Sequence, residues 1–244
     1  MLKACFCCGH RTHAQAPGST WQICEVCAFE DGGPERAELA VAQRHFAACG
    51  AADPELLELC TPSTGAPAPW HLPIDQEAAV LIPMLFAAFG DQDLDGGVSL
   101  EEAEHIDDYA MPARTLGDPP ARGFGQSGPW HALTQKQLEK YSWCNFSFQD
   151  ARGLRYHIPA YLRFFLEEPK FKVDPGSLLF HLESGFQVKE LRSILTQDQK
   201  HVIARWLATQ ALDHWGSSAR KALKRHWAAD LDPEHADSLA NVLL

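Results

Sequence analysis

Two C-x-x-C pairs near the N-terminus constrain this chain more than any other feature. They read Cys5-Phe6-Cys7-Cys8, fifteen intervening residues, then Cys24-Glu25-Val26-Cys27. A C-x-x-C pair bends the chain into a tight knuckle that presents two thiolates from one turn. Two knuckles facing each other make a tetrahedral S4 site, which suits zinc. Gly9 follows the first knuckle, where the chain often needs a positive φ. Pro17-Gly18-Ser19 marks a turn, and Thr20-Trp21-Gln22-Ile23 alternates as a strand does. The expected order is knuckle, strand, turn, strand, knuckle: a small β zinc ribbon.

Of the eight cysteines, five fall in the first 27 residues. The chain opens Met-Leu-Lys-Ala-Cys with no apolar signal segment, so the expectation is a soluble, cytoplasmic protein. There, clustered thiols read as metal ligands rather than disulfides. A redox C-x-x-C usually opens a helix within a βαβ unit, and no such pattern surrounds these. Cys5, Cys8, Cys24 and Cys27 are the expected zinc ligands. Cys7 is a fifth thiol beside the site, because adjacent cysteines rarely reach one tetrahedral ion without strain. His10 and His13 stay open as substitutes for a thiolate.

Residues 3–52 resemble the bacterial cysteine-rich CPCC family. The resemblance rests on Cys5-Phe6-Cys7-Cys8-Gly9, Cys24-Glu25-Val26-Cys27, Phe29-Glu30-Asp31 and Gly32-Gly33-Pro34. Leu39, Ala42, Phe46 and Gly50 then stand where the family's helix carries similar residues. Phe6 and Glu25 replace the knuckle prolines, Ala28 the second knuckle's glycine, and Phe29 a tryptophan. The thiolates survive these departures; the backbone geometry at Ala28 is the point they put in question.

A helix is expected over 34–48, with Pro34 in its first turn and Leu39, Ala42 and Phe46 at helical spacing. Residues 61–73 hold four prolines in thirteen positions, which forbids helix and favours a semi-rigid spacer. The domain plan is therefore a ribbon with its helix over 1–60, a linker over 61–73 and an α-helical domain over 74–244. The fold class is mainly α. Helices are expected over 75–89, 99–109, 134–141, 149–166, 175–182, 196–213, 217–227 and 232–243. Ser99-x-x-Glu102 and Thr196-x-x-Gln199 read as capping boxes, and Asn145–Phe148 as a short extended piece.

Roughly residues 76–212 look like an uncharacterised bacterial family. The matching phrases are Ala88-Phe89, Gly97-Val98-Ser99-Leu100-Glu101-Glu102-Ala103, Asp107-Asp108-Tyr109, Trp130, Ser147-Phe148, Arg155-Tyr156-His157-Ile158-Pro159-Ala160-Tyr161 and Gln199-Lys200. The resemblance implies a compact α-rich domain and brings no known reaction.

Asp91 to Glu102 fits the EF-hand loop template, with carboxylates at Asp91, Asp93, Asp95 and Glu102, the Gly97 carbonyl and Ser99 as calcium oxygens. Leu94, the second glycine at Gly97 and Ala103 depart from it, and no second such loop pairs with it. The preferred reading is a polar turn whose Ser99 caps the next helix, with calcium the alternative. For catalysis, Cys144 and His157 are the pair that invites attention, but buried core residues are the commoner explanation. The net charge of −11 repels a phosphate backbone, and the basic run Arg220–Arg225 reads as a solvated helix face. No apolar run reaches the roughly 20 residues that span a bilayer. The functional expectation is a non-enzymatic zinc protein, its ribbon a docking module for another protein. The alternatives are a calcium-responsive protein, and an enzyme whose site is scattered in sequence.

Overall fold

The computed structural model describes residues 2–15, 21–32, 36–68, 71–110, 128–142, 146–168, 170–185, 187–211 and 216–233, with a few single positions besides. It is mainly α, with one two-stranded antiparallel sheet at the N-terminus. It divides into two compact units, residues 1–77 with 204–244, and residues 78–203. Among the described residues no helix is long and apolar enough to cross a membrane.

In the first unit, β1 (Lys3–Ala4) pairs with β2 (Arg11–His13), Lys3 facing His13 and Ala4 facing Arg11. The first knuckle is the turn between them. Cys5 N–H donates to the His10 carbonyl and Gly9 N–H to the Cys5 carbonyl. The second knuckle repeats the arrangement. Cys24 N–H donates to the Phe29 carbonyl, Ala28 N–H to Cys24, and Trp21 N–H to Asp31, around a bridge between Ile23 and Glu30. The expected strand pairing is thus replaced. Each knuckle is itself a hairpin turn, so β2 folds back on β1 and residues 21–23 pair forward. The turn expected at 17–19 lies outside the described residues.

Helix α1 (Arg36–Cys49) buries Leu39, Ala42 and Gln43, with Phe46 half-buried; its expected start at Pro34 is outside the described residues. Gly50, at φ 88°, ends it by donating to the Phe46 carbonyl. A 3-10 turn, Pro54–Leu59, follows, capped by the Asp53 carboxylate. The proline-rich stretch is exposed through residue 67, yet it is tied at its start to the second knuckle and at its end to the first. Thr61 N–H donates to the Glu25 carbonyl, Ala68 N–H to Gly9 and His71 Nε2 to Phe6.

The second unit is helical: α2 (Glu77–Phe89), α3 (Leu100–Asp107), α4 (Gln135–Lys140), α5 (Ala151–Glu167), α6 (Pro175–Ser184), α7 (Val188–Ile194) and the start of α8 (Gln197–Ala211). Ser99, Thr134, Asp150 and Asp174 cap α3, α4, α5 and α6 with side-chain oxygens. Helix α5 is the core element, packing on α7 and on the 3-10 turn Trp130–Ala132. Residues 146–148 form a turn rather than the expected extended piece. Beyond α8, α9 (Ser217–Ala222) runs into a π-helical turn, Leu223–Trp227. The helix expected over 232–243 lies almost wholly outside the described residues.

Candidate metal centre

The two hairpin knuckles bring their thiols together. Cys5, Cys8, Cys24 and Cys27 are all buried, and their sulfurs lie within 4.8 Å of one another. Cys5 Sγ is 3.8 Å from Cys27 Sγ, and Cys8 Sγ is 3.7 Å from Cys24 Sγ. A tetrahedral ion with metal–sulfur bonds of about 2.3 Å demands sulfur–sulfur edges of about 3.8 Å. The donor set therefore fits a metal ion in both ligand type and spacing. Its pairing crosses between the knuckles, so one ion would pin the two hairpins to each other.

Thiols this close cannot all ionise without a cation. Hydrogen bonding with Cys24 pushes the Cys5 and Cys27 thiols up, while hydrogen bonds from Cys27, Cys5 and Cys8 hold Cys24 far down. A dication offsets the repulsion that four thiolates this close would otherwise suffer. Thr12 Oγ1 lies 3.1 Å from Cys24 Sγ, within hydrogen-bond distance of that sulfur. His13 is buried with Nδ1 3.3 Å from Gln22 Oε1. Burial lowers its pKa, but interaction with Cys24 outweighs this and leaves it above its usual value. Neither histidine that stood open as a ligand joins the four-sulfur group.

The knuckle carbonyls are held from outside. Gln43 Nε2 and His71 Nε2 both donate to the Phe6 carbonyl, at 3.0 and 2.9 Å, and Gln43 Oε1 accepts from Ile74 N–H. Ala52 N–H donates to the Cys27 carbonyl at 2.7 Å. Thr12, Gln43 and His71 are supporting residues that motif spacing does not reveal, since Gln43 and His71 reach the knuckle from 37 and 65 residues away.

A model described as a family of unknown function (DUF6714) matches residues 77–231, more than half of the chain. The chain belongs to the DUF6714 family. A model of the cysteine-rich CPCC family matches residues 3–66, so a CPCC region is joined to a DUF6714 domain. No curated protein and no solved structure matches the chain.

The acidic loop lies inside the DUF6714 match, and its carboxylates are engaged separately. Asp91, with its side chain 93% exposed, meets His131 Nε2 at 2.9 Å. Asp95 meets Arg155 Nη2 at 3.3 Å, and Asp93 Oδ1 accepts from the Asp95 N–H. Ser99 Oγ accepts from Glu102 N–H, as expected of a cap. Leu94 and Glu102 are buried. Among the described residues the four cysteines are the one group of metal-donor atoms brought together. Among the described residues the carboxylates of this loop are not gathered into such a group.

What organises the loop of the DUF6714 domain is Asp150. Its Oδ1 accepts from Val98 N–H at 2.9 Å and from Gly153 N–H at 2.8 Å, joining the loop to the first turn of α5. The backbones touch there: a Cβ at Gly97 would strike Gly153 N and Arg152, and one at Gly153 would strike the Val98 carbonyl. His157, the one member of the Cys144–His157 pair among the described residues, is fully buried in α5 and donates from Nδ1 to the Gly153 carbonyl at 2.7 Å. Burial pushes its pKa down to about 4. Trp130 and Trp206 are core residues too.

Proposed function

We propose that the four-cysteine site holds one zinc ion for structure, and that the CPCC region serves as a docking module for another protein, carried by the DUF6714 domain. The observation that supports the metal is the sulfur tetrahedron, with edges of 3.7 and 3.8 Å. A shell of four thiolates leaves no open position for substrate or water, so the reading is structural rather than catalytic. Zinc is the natural occupant because sulfur-only tetrahedral sites favour it among common divalent ions. Such binding contributes on the order of 10 kcal/mol to folding a small module.

Docking is supported by the surface of the second hairpin. Trp21 and Ile23 are each 67% exposed, two positions apart on one arm. Large apolar side chains grouped on a surface mark interaction sites, and aromatic residues are enriched at their centres. The net charge of −11 disfavours nucleic acid as the partner. The test uses the zinc-loaded full chain as bait, with chemical crosslinking and identification of the captured protein. Trp21→Ser with Ile23→Ser should abolish capture while leaving zinc content unchanged. Capture that survives this double change would place docking elsewhere.

A further inference from the structure

Resting on the docking reading above, we propose that an apolar hollow beside the second knuckle seats a basic segment of the partner protein. One large apolar side chain enters the hollow, and lysines or arginines on either side of it meet the carboxylates around the opening. The hollow is about 350 Å³, within the size range of binding pockets. Its apolar wall is Val26 from the second knuckle, Phe46 from α1, Leu57 from the 3-10 turn and Pro62 from the proline-rich stretch. Leu57 lines it while 47% exposed, so the hollow opens to solvent.

The fold builds this hollow before any ligand arrives. Ala52 N–H donates to the Cys27 carbonyl and Thr61 N–H to the Glu25 carbonyl, each at 2.7 Å. These bonds clamp the chain to the second knuckle on either side of the 3-10 turn Pro54–Leu59. A preformed pocket spares the partner the cost of ordering it. Apolar wall left open to water is stabilised when an apolar side chain covers it.

Charge selects the occupant. Residues 45–68 contain Asp53, Glu55 and Glu58 but no lysine or arginine, and residues 21–32 contain Glu25, Glu30 and Asp31 but again neither. Glu25 and Glu58 adjoin the lining residues Val26 and Leu57 in the chain, and both are exposed, as is Glu55. Among the described residues no cation pairs with any of these three. The cations close by in the chain are engaged elsewhere. Arg11, next to the lining residue His10, donates to the Leu2 carbonyl, and Arg44 pairs with Asp75 at 3.2 Å. A segment that buries an apolar side chain here therefore gains from flanking positive charge, and an acidic one is repelled.

The probe is a short capped peptide with one phenylalanine between two pairs of arginines, labelled for fluorescence anisotropy and titrated with the zinc-loaded full chain at low salt. Counterparts carry alanine for the phenylalanine, or glutamates for the arginines. Saturable binding is expected, at least about tenfold weaker for the alanine peptide and absent for the glutamate peptide. Cys49 is exposed and lines the hollow. Cys49→Phe, which fills that space, should weaken binding at least about tenfold. Glu25→Gln with Glu58→Gln should weaken it at least about fivefold and flatten its salt dependence. Zinc content and melting temperature check each variant. Leu57→Lys, at a half-exposed position, should also weaken binding and decides the matter if Cys49→Phe folds poorly. Equal binding of all three peptides, or binding unchanged in Cys49→Phe and Leu57→Lys, would overturn the proposal. So would a dimer in sedimentation velocity that Cys49→Phe abolishes, which would give the hollow to a second copy of the chain. Trp21→Ser with Ile23→Ser should leave peptide binding unchanged. Binding lost there but kept in Cys49→Phe would defeat the hollow and leave the docking reading standing.

Discussion

Ala28 holds in the second knuckle the left-handed turn that Gly9 holds in the first. Their φ angles are 57° and 74°, and each donates its N–H to the cysteine carbonyl four residues back. The second knuckle thus keeps its geometry with a Cβ that disfavours it. Ala28→Gly should stabilise the zinc-loaded protein by about 1 kcal/mol, read as a rise in melting temperature. Gly9→Ala should lower it by more, because the new Cβ would also lie 2.7 Å from His71 Cγ. Equal effects of the two changes would contradict this.

Asp150 organises the loop that resembles a calcium site. Asp150→Ala leaves two buried N–H groups without their acceptor, at Val98 and Gly153, and should cost about 2–4 kcal/mol in chemical denaturation. Asp150→Asn keeps one acceptor oxygen and should cost about half as much. Millimolar calcium should leave the melting temperature unchanged, since an ion stabilises only in proportion to its binding. A calcium-dependent rise that disappears in Glu102→Gln would overturn this.

His157 should make stability depend on pH. The unfolded chain binds a proton near the ordinary imidazole value of 6.5, whereas the folded chain takes it only near 4. Folding stability from this group is complete above 6.5 and is lost as pH falls through that window, by about 3 kcal/mol at full protonation. His71 and His181, whose pKa values burial also lowers, act in the same direction. Denaturation of His157→Gln at pH 7 and pH 5 should show a smaller difference than wild type. The same slope in both proteins would contradict the assignment.

The parts of this structure that were legible in the sequence are those with short-range chemistry. Cysteine spacing picked out the four thiols that the fold gathers, and Thr196 with Gln199 forms the reciprocal capping box its spacing predicts. What stayed hidden depends on distant partners. Asp150 meets Val98 across 52 residues, and no local pattern marks that acceptor. The proline-rich stretch reads as a spacer by composition, yet Ala68 and His71 dock on Gly9 and Phe6. Helix α7 is only 7 residues long, too short for its period to stand out. The loop carboxylates satisfied the spacing of a calcium site, while His131 and Arg155 supplied positive or donating partners that no loop template includes.

The most direct test of the account is elemental analysis of the full chain purified without chelators, beside Cys24→Ser. Cys24 Sγ lies 3.7 Å from Cys8 Sγ and 3.1 Å from Thr12 Oγ1. The wild-type chain should carry about one zinc per molecule, and the variant almost none. A wild-type chain without metal, or a variant that keeps its full zinc, would contradict it.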